Sequence, residues 1–255
     1  MRWTAGSTTR TGVAMPPEPD DRVLRFGRVQ RTVHRTTAFL MLICLVTAAC
    51  LYLGPLAQVV GRRHIVAAVH EWSGISLPLP TLLGLIHPSF RADLQRLNRF
   101  AVYDRQWLRA VRRRRTSPQA RPAGKFNAGQ KIFAGWIAGA VVVMMLTGLL
   151  MWFSGVLPAI SRTSAIFVHD WLAWMITAVI IGHARKAHKD PEARLGMRSG
   201  YVSAPWAVRN HPRWQPEREM EIARKTSLTG RCSIIPLRSR GLPMRGGDAA
   251  SDRGR

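Results

Sequence analysis

SAIFVHDWLAWMITAVIIGHA, from Ser164 to Ala184, decides how this chain is read. A run of about 20 largely apolar residues is what an α-helix needs to cross the ~30 Å hydrocarbon core of a bilayer. The run nevertheless holds His169 and His183, and ionisable side chains inside membrane helices are rare and usually functional. Fourteen residues separate the two. At a rise of ~1.5 Å per residue that is ~21 Å along the axis, and fourteen steps of ~100° come within ~40° of the starting face. One helix therefore presents two imidazoles to the same side at two depths.

Working outward, Thr36–Leu56 and Ile132–Phe153 are comparably apolar. Ile65–Ile86 is weaker, because it contains His70, Glu71, Pro78 and Pro80. Two prolines spaced by one residue should kink or locally unwind a helix there. Four spans, over about 36–56, 65–86, 132–153 and 164–184, predict an all-α integral membrane four-helix bundle. This four-span domain is expected over residues 29–220. Residues 1–28 read as a disordered extension, with Pro16, Pro17, Glu18, Pro19, Asp20 and Asp21 ahead of any apolar run and no convincing signal peptide. Residues 221–255 read as a disordered basic tail.

Charge gives the orientation. The chain of 255 residues has 38 Lys+Arg against 14 Asp+Glu, a net charge of +24. Residues 1–35 carry seven of the basic residues, 88–131 carry twelve and 184–255 carry sixteen. The loops expected on the opposite side carry only Arg62, Arg63 and Arg162. Lys and Arg near helix ends mark the cytoplasmic side. Both termini are therefore expected in the cytoplasm, in a multi-pass membrane protein. The basic excess is explained by topology and by membrane lipid, so nucleic acid is not expected as a partner.

With that orientation, His34 lies at the inner level, His70 and His169 at the outer level and His183 at the inner level. Depth alone pairs His34 with His183 and His70 with His169. Two histidines facing each other at each level suit the axial ligation of two haem groups. Doubly ligated iron has no open position, which fits electron transfer rather than oxygen chemistry. Cys44, Cys50 and Cys232 form no CxxC or CxxCH, so neither an iron–sulfur cluster nor covalent haem is supported. A single histidine near a helix end is usually an interfacial polar residue; four at matched depths are a different matter. His64, His87, His188 and His211 lie at segment ends or in the tail and read as surface residues.

Several stretches resemble a known family. GKFNAGQK (Gly124–Lys131), TGLLMW (Thr147–Trp152), the spacing of His169 and His183, and GYVSAPWAVRNHPRWQPE (Gly200–Glu217) resemble the cytochrome b556 (gamma) subunit of membrane-bound formate dehydrogenase, within the wider group of prokaryotic b561 and nickel-hydrogenase b-type cytochromes. The resemblance covers roughly residues 28–220. It implies a membrane anchor with two haem b groups on His34, His70, His169 and His183. It also implies an iron–sulfur (beta) subunit, through it a catalytic alpha subunit, and menaquinone as electron acceptor, with room for a higher oligomer of the complex. The family's quinone site, carried over here, falls on Asn127, Ala128, Gly129, Gln130 and His183. Asn and Gln offer donors for a carbonyl, although Asn127 is equally suited to cap the third apolar helix. Arg35 after His34 and Glu71 after His70 depart from the family pattern. No formate-oxidising site is present in the sequence. Two rival readings are a nickel–iron hydrogenase cytochrome and a haem-free anchor or transporter.

Overall fold

The computed structural model describes residues 22–153 and 159–214. Expectations for residues 1–21 and for the tail beyond Trp214 lie outside the described residues. Three helices are long and apolar enough to cross a membrane: α1 (Arg28–Tyr52), α7 (Ala128–Trp152) and, over Arg162–His188, α8 (Ala159–His188). Their flanks leave large apolar side chains uncovered, among them Phe39 at 63% and Trp171 at 60% exposure. Such a surface suits hydrocarbon rather than water.

The chain turns out of α1 at Leu53, whose backbone is extended. A short helix, α2 (Gly54–Val60), follows, with Pro55 in its first turn. The remaining apolar segment is not one helix. It divides into α3 (Arg63–Ser76) and α4 (Leu79–Gly84). Pro78 and Pro80 lack the N–H groups that would continue the ladder, so the break falls where they stand. Leu77 and Pro78 nonetheless keep right-handed helical backbone angles. The segment is thus interrupted without being unwound. Neither piece alone has the length of a span, while the 22 residues from Arg63 to Gly84 would reach ~33 Å if collinear.

Helix α1 packs on α3 and α4, α7 packs on α8, and α3 touches α7. The apolar core between them draws Met41 from α1, Leu77 from the break, Ala140 from α7 and Ile176 from α8. One buried residue from each apolar segment thus meets at a single centre.

The expectation of an all-α chain needs one amendment. Strand β1 (Arg22–Leu24) pairs antiparallel with β2 (Tyr201–Ser203), Val23 opposite Val202. The last residues of the expected N-terminal extension are therefore built into the fold. Alternation explains it, since Val23 and Val202 point inward while their neighbours do not. The ribbon closes over a second core of Val23, Val202, Trp206, Ala207 and Trp214. Helices α9 (Pro191–Arg198) and α10 (Ala204–Asn210) carry much of this cap. Gly200, at φ 98°, turns the chain from α9 into β2, and its carbonyl accepts from both Arg25 N and Phe26 N at 2.8 and 3.1 Å. A side chain there would meet the Phe26 carbonyl at 2.6 Å. Helices α5 (Pro88–Asn98) and α6 (Val102–Arg112) complete the basic end and pack on α7.

Candidate functional site

Four imidazoles come together as two pairs. His34 on α1 faces His183 on α8, with ring centres 6.4 Å apart. His70 on α3 faces His169 on α8, with ring centres 6.3 Å apart. The pairing is the one that depth alone suggests. The first pair lies beside the basic cap and is called basal below; the second is called remote.

These separations have a chemical meaning. Two metal–imidazole bonds of about 2 Å, with about 1 Å from each nitrogen to its ring centre, put axial ring centres about 6 Å apart. Among the described residues no group of three or more His, Cys, Asp or Glu is placed to hold a bare metal ion. Each pair supplies two ligands and no more. Any further donors would have to come with the metal, as the four nitrogens of a macrocycle do. The residues present therefore fit a haem at each level.

The two pairs are held differently. In the remote pair, Nδ1 of His70 lies 2.9 Å from the Thr47 hydroxyl, and Nδ1 of His169 lies 2.9 Å from the Thr147 hydroxyl. In the basal pair His183 stacks on Phe133, with centroids 4.8 Å apart and planes 11° from parallel.

Phe133 stands one turn beyond the segment Asn127–Gln130. That segment opens α7 with a reciprocal cap. Gln130 N donates to Asn127 Oδ1 at 2.9 Å, and Asn127 N donates to Gln130 Oε1 at 3.0 Å. The cap uses the amide oxygens only. It leaves both side-chain NH₂ groups, the donors a quinone carbonyl requires, outside the cap. Ala128 is fully buried. A Cβ on Gly129 would meet the Trp107 ring at 3.0 Å, so the close approach this glycine permits is to α6.

A profile of the family described as Prokaryotic cytochrome b561 matches residues 25–188, a stretch that includes all four paired histidines. The chain belongs to the prokaryotic cytochrome b561 family. It is 26% identical over 208 residues to the formate dehydrogenase cytochrome b556(fdo) subunit of Escherichia coli K12, covering 77% of this chain and 93% of that protein. The formate dehydrogenase cytochrome b556 subunit of Haemophilus influenzae is 26% identical over 211 residues, or 78% and 84% of the two chains. The nitrate-inducible cytochrome b556(Fdn) subunit of Escherichia coli K12 is 32% identical over a shorter 110 residues, 42% and 51%.

Other residues at the basic end of this b561-family chain escape a reading by sequence. Both lysines of GKFNAGQK are anchors. Lys125 contacts both carboxylate oxygens of Asp93 on α5 at 2.6 Å. Desolvation lowers the Lys125 pKa, against the opposing pull of Asp93. Lys131 donates to Asp104 on α6 at 2.7 Å and to the Arg99 carbonyl at 3.0 Å. Asp104 is fully buried. The Asn127–Gln130 segment is thus pinned on both sides by ion pairs.

His211, expected at the surface, is 3% exposed. Its Nδ1 donates to the Gly124 carbonyl at 2.7 Å, and its Nε2 accepts from the Arg25 guanidinium at 3.0 Å. Burial and the neighbouring Arg25 charge push its pKa down to about 3, so the ring is neutral. Burial also brings Arg25 down to about 10. Of the other histidines read as surface residues, His64 and His188 are exposed, and His87 caps α5 by accepting from Ser89 N. The only advance signal for His211 was its place in the HPRW stretch.

Proposed function

We propose that this chain is the membrane-anchoring cytochrome b subunit of a formate dehydrogenase-type complex, carrying electrons from an iron–sulfur partner to menaquinone. His34 with His183, and His70 with His169, would each hold one haem b. When bound, haem supplies a reversible one-electron carrier in the low-dielectric interior. The observation that carries the reading is the two imidazole pairs, each with a ring separation that could hold one iron between them. The relatives named above supply the formate dehydrogenase context.

The protein's own groups then have distinct tasks. The histidines would fix the position of each metal, and two imidazole ligands apiece would leave no place for oxygen to bind. Asn127 and Gln130 would hold a quinone carbonyl through their side-chain NH₂ groups, one helical turn from the Phe133 ring that stacks on His183. The buried ion pairs of Lys125 and Lys131 keep this segment rigid. With α3 and α4 together as a second crossing, four spans would leave both termini on one side, which we read as the cytoplasm. The excess of Arg and Lys at the basic end supports that orientation.

The test is purification in mild detergent followed by a reduced-minus-oxidised absorption spectrum. The expected result is a b-type signal equivalent to two haems per chain, with an iron–sulfur protein and a large catalytic subunit co-purifying. No b-type signal would reject the reading. A hydrogenase subunit in the co-purified set would replace formate with hydrogen as the upstream reductant.

A further inference from the structure

Two threonines occupy equivalent places around the remote histidines. Thr47 donates to the Ile43 and Cys44 carbonyls of α1 at 2.7 and 3.1 Å. Thr147 donates to the Val143 and Met144 carbonyls of α7 at 2.8 and 3.1 Å. Each hydroxyl then touches one Nδ1 at 2.9 Å, Thr47 that of His70 and Thr147 that of His169. Back-bonding of Thr to its own helix is ordinary by itself. The ring contact added to it is not, and it occurs on both members of one pair.

A hydroxyl has one hydrogen and two acceptor lone pairs. Here the hydrogen is already shared between two carbonyls of the threonine's own helix. Toward the ring the oxygen can only accept. Nδ1 of His70 also lies 3.2 Å from the Cys44 carbonyl, which again can only accept. His169 has the Met144 carbonyl in the matching position. In both rings Nδ1 must therefore carry the proton. Nε2 is left bare and is the nitrogen available to a metal.

We propose that Thr47 and Thr147 are positioning residues of the remote metal site, fixing the tautomer and plane of His70 and His169 and tuning the electron density those ligands donate. The inference rests on the haem reading above and adds a cause for a difference between the two haems. A hydrogen bond from the far ring nitrogen makes an axial imidazole a stronger donor. That favours the oxidised metal and lowers the reduction potential. No equivalent hydroxyl contact is made by either ring of the basal pair among the described residues.

The experiment is a redox titration and low-temperature electron paramagnetic resonance of the purified complex with Thr47→Val, Thr147→Val, both together, and the corresponding Thr→Ser variants. Valine keeps the shape and removes the acceptor; serine restores it. Each valine variant should move the remote haem to a more positive potential and displace its ferric resonance. The double variant should move it further, serine should return wild-type values, and the basal haem should stay fixed throughout. If valine costs the remote haem altogether, the serine variants decide: a remote haem at wild-type potential supports the assignment, and a shifted or missing one overturns it. Haem-replete valine variants that titrate and resonate as wild type overturn this inference alone. A wild-type preparation without haem overturns it together with the reading beneath it.

Discussion

The basal and remote pairs have nearly the same ring separation and opposite surroundings. The remote pair is oriented from within the apolar layer by two hydroxyls from the neighbouring helices α1 and α7. The basal pair rests on one aromatic face, Phe133, and on a helix start clamped from outside by Lys125–Asp93 and Lys131–Asp104. In a medium without water, orientation is cheapest from groups that already satisfy their own hydrogen bonds. At the edge of that medium, buried charge pairs and a mixed cap become affordable. Similar clamps are thus built with the chemistry each depth permits.

The strongest way to break the comparison is to remove one ring from each pair. His183→Ala should take haem from two per chain to one and abolish quinone reduction, while the remote haem persists. His70→Ala should lose the remote haem and keep the basal one. Pyridine haemochrome quantification with redox titration reads both, and two haems retained in His183→Ala would dissolve the pairing.

Next in size is the clamp. Lys131→Met leaves Asp104, fully buried, without its cation. Breaking such a pair costs about 3–5 kcal/mol. Thermal unfolding in detergent should show that loss, and Lys131→Met with Asp104→Leu should recover much of it. Thr147→Val at the remote pair should cost only about 1 kcal/mol. Equal losses would mean that the two ends are not held differently.

Acid provides a third probe, confined to the basal end. His211 is depressed to about 3 in the fold from an ordinary value of 6.5. Above the ordinary value it is neutral in both states and its contribution is complete. Below that value the unfolded chain takes up a proton that the fold refuses. Stability should fall by about 1.4 kcal/mol per pH unit across the window from 6.5 down toward 3. His211→Gln should flatten that part of the profile, and an unchanged slope would place the titration elsewhere. The smallest effect is expected from Asn127→Ala, where loss of the N-cap costs about 1 kcal/mol and the KM for quinone rises. An unchanged KM would leave Asn127 as a cap only.

Much of this was legible because its signals are local. An apolar run interrupted by histidine stands out in any window, and its length fixes the depth of each ring. Pro78 and Pro80 marked the break, since a missing N–H acts where it stands. The burial of Lys125, Lys131 and His211 was not legible. Their neighbours Asp93, Asp104, Arg25 and the Gly124 carbonyl lie far off in sequence or in segments with no strong periodicity. A lysine looks the same in a sequence whether it faces water or a buried carboxylate. Asn127 and Gln130 show the middle case: the preference of Asn for N-caps offered the cap as one of two readings, and only the three-dimensional contacts show that the cap uses the oxygens and spares the amino groups.

Both ring pairs share one geometric property. Each joins α8 to a helix from the first half of the chain, α1 in one case and α3 in the other. Anything grasped between the rings bridges the seam between two hairpins, which within the apolar layer meet through a small buried centre. Such a group would act as a rivet as well as a wire. Assembly then has a natural order, with hairpins inserted first and fastened last, and a chain starved of its fastener would be held together least well along that seam.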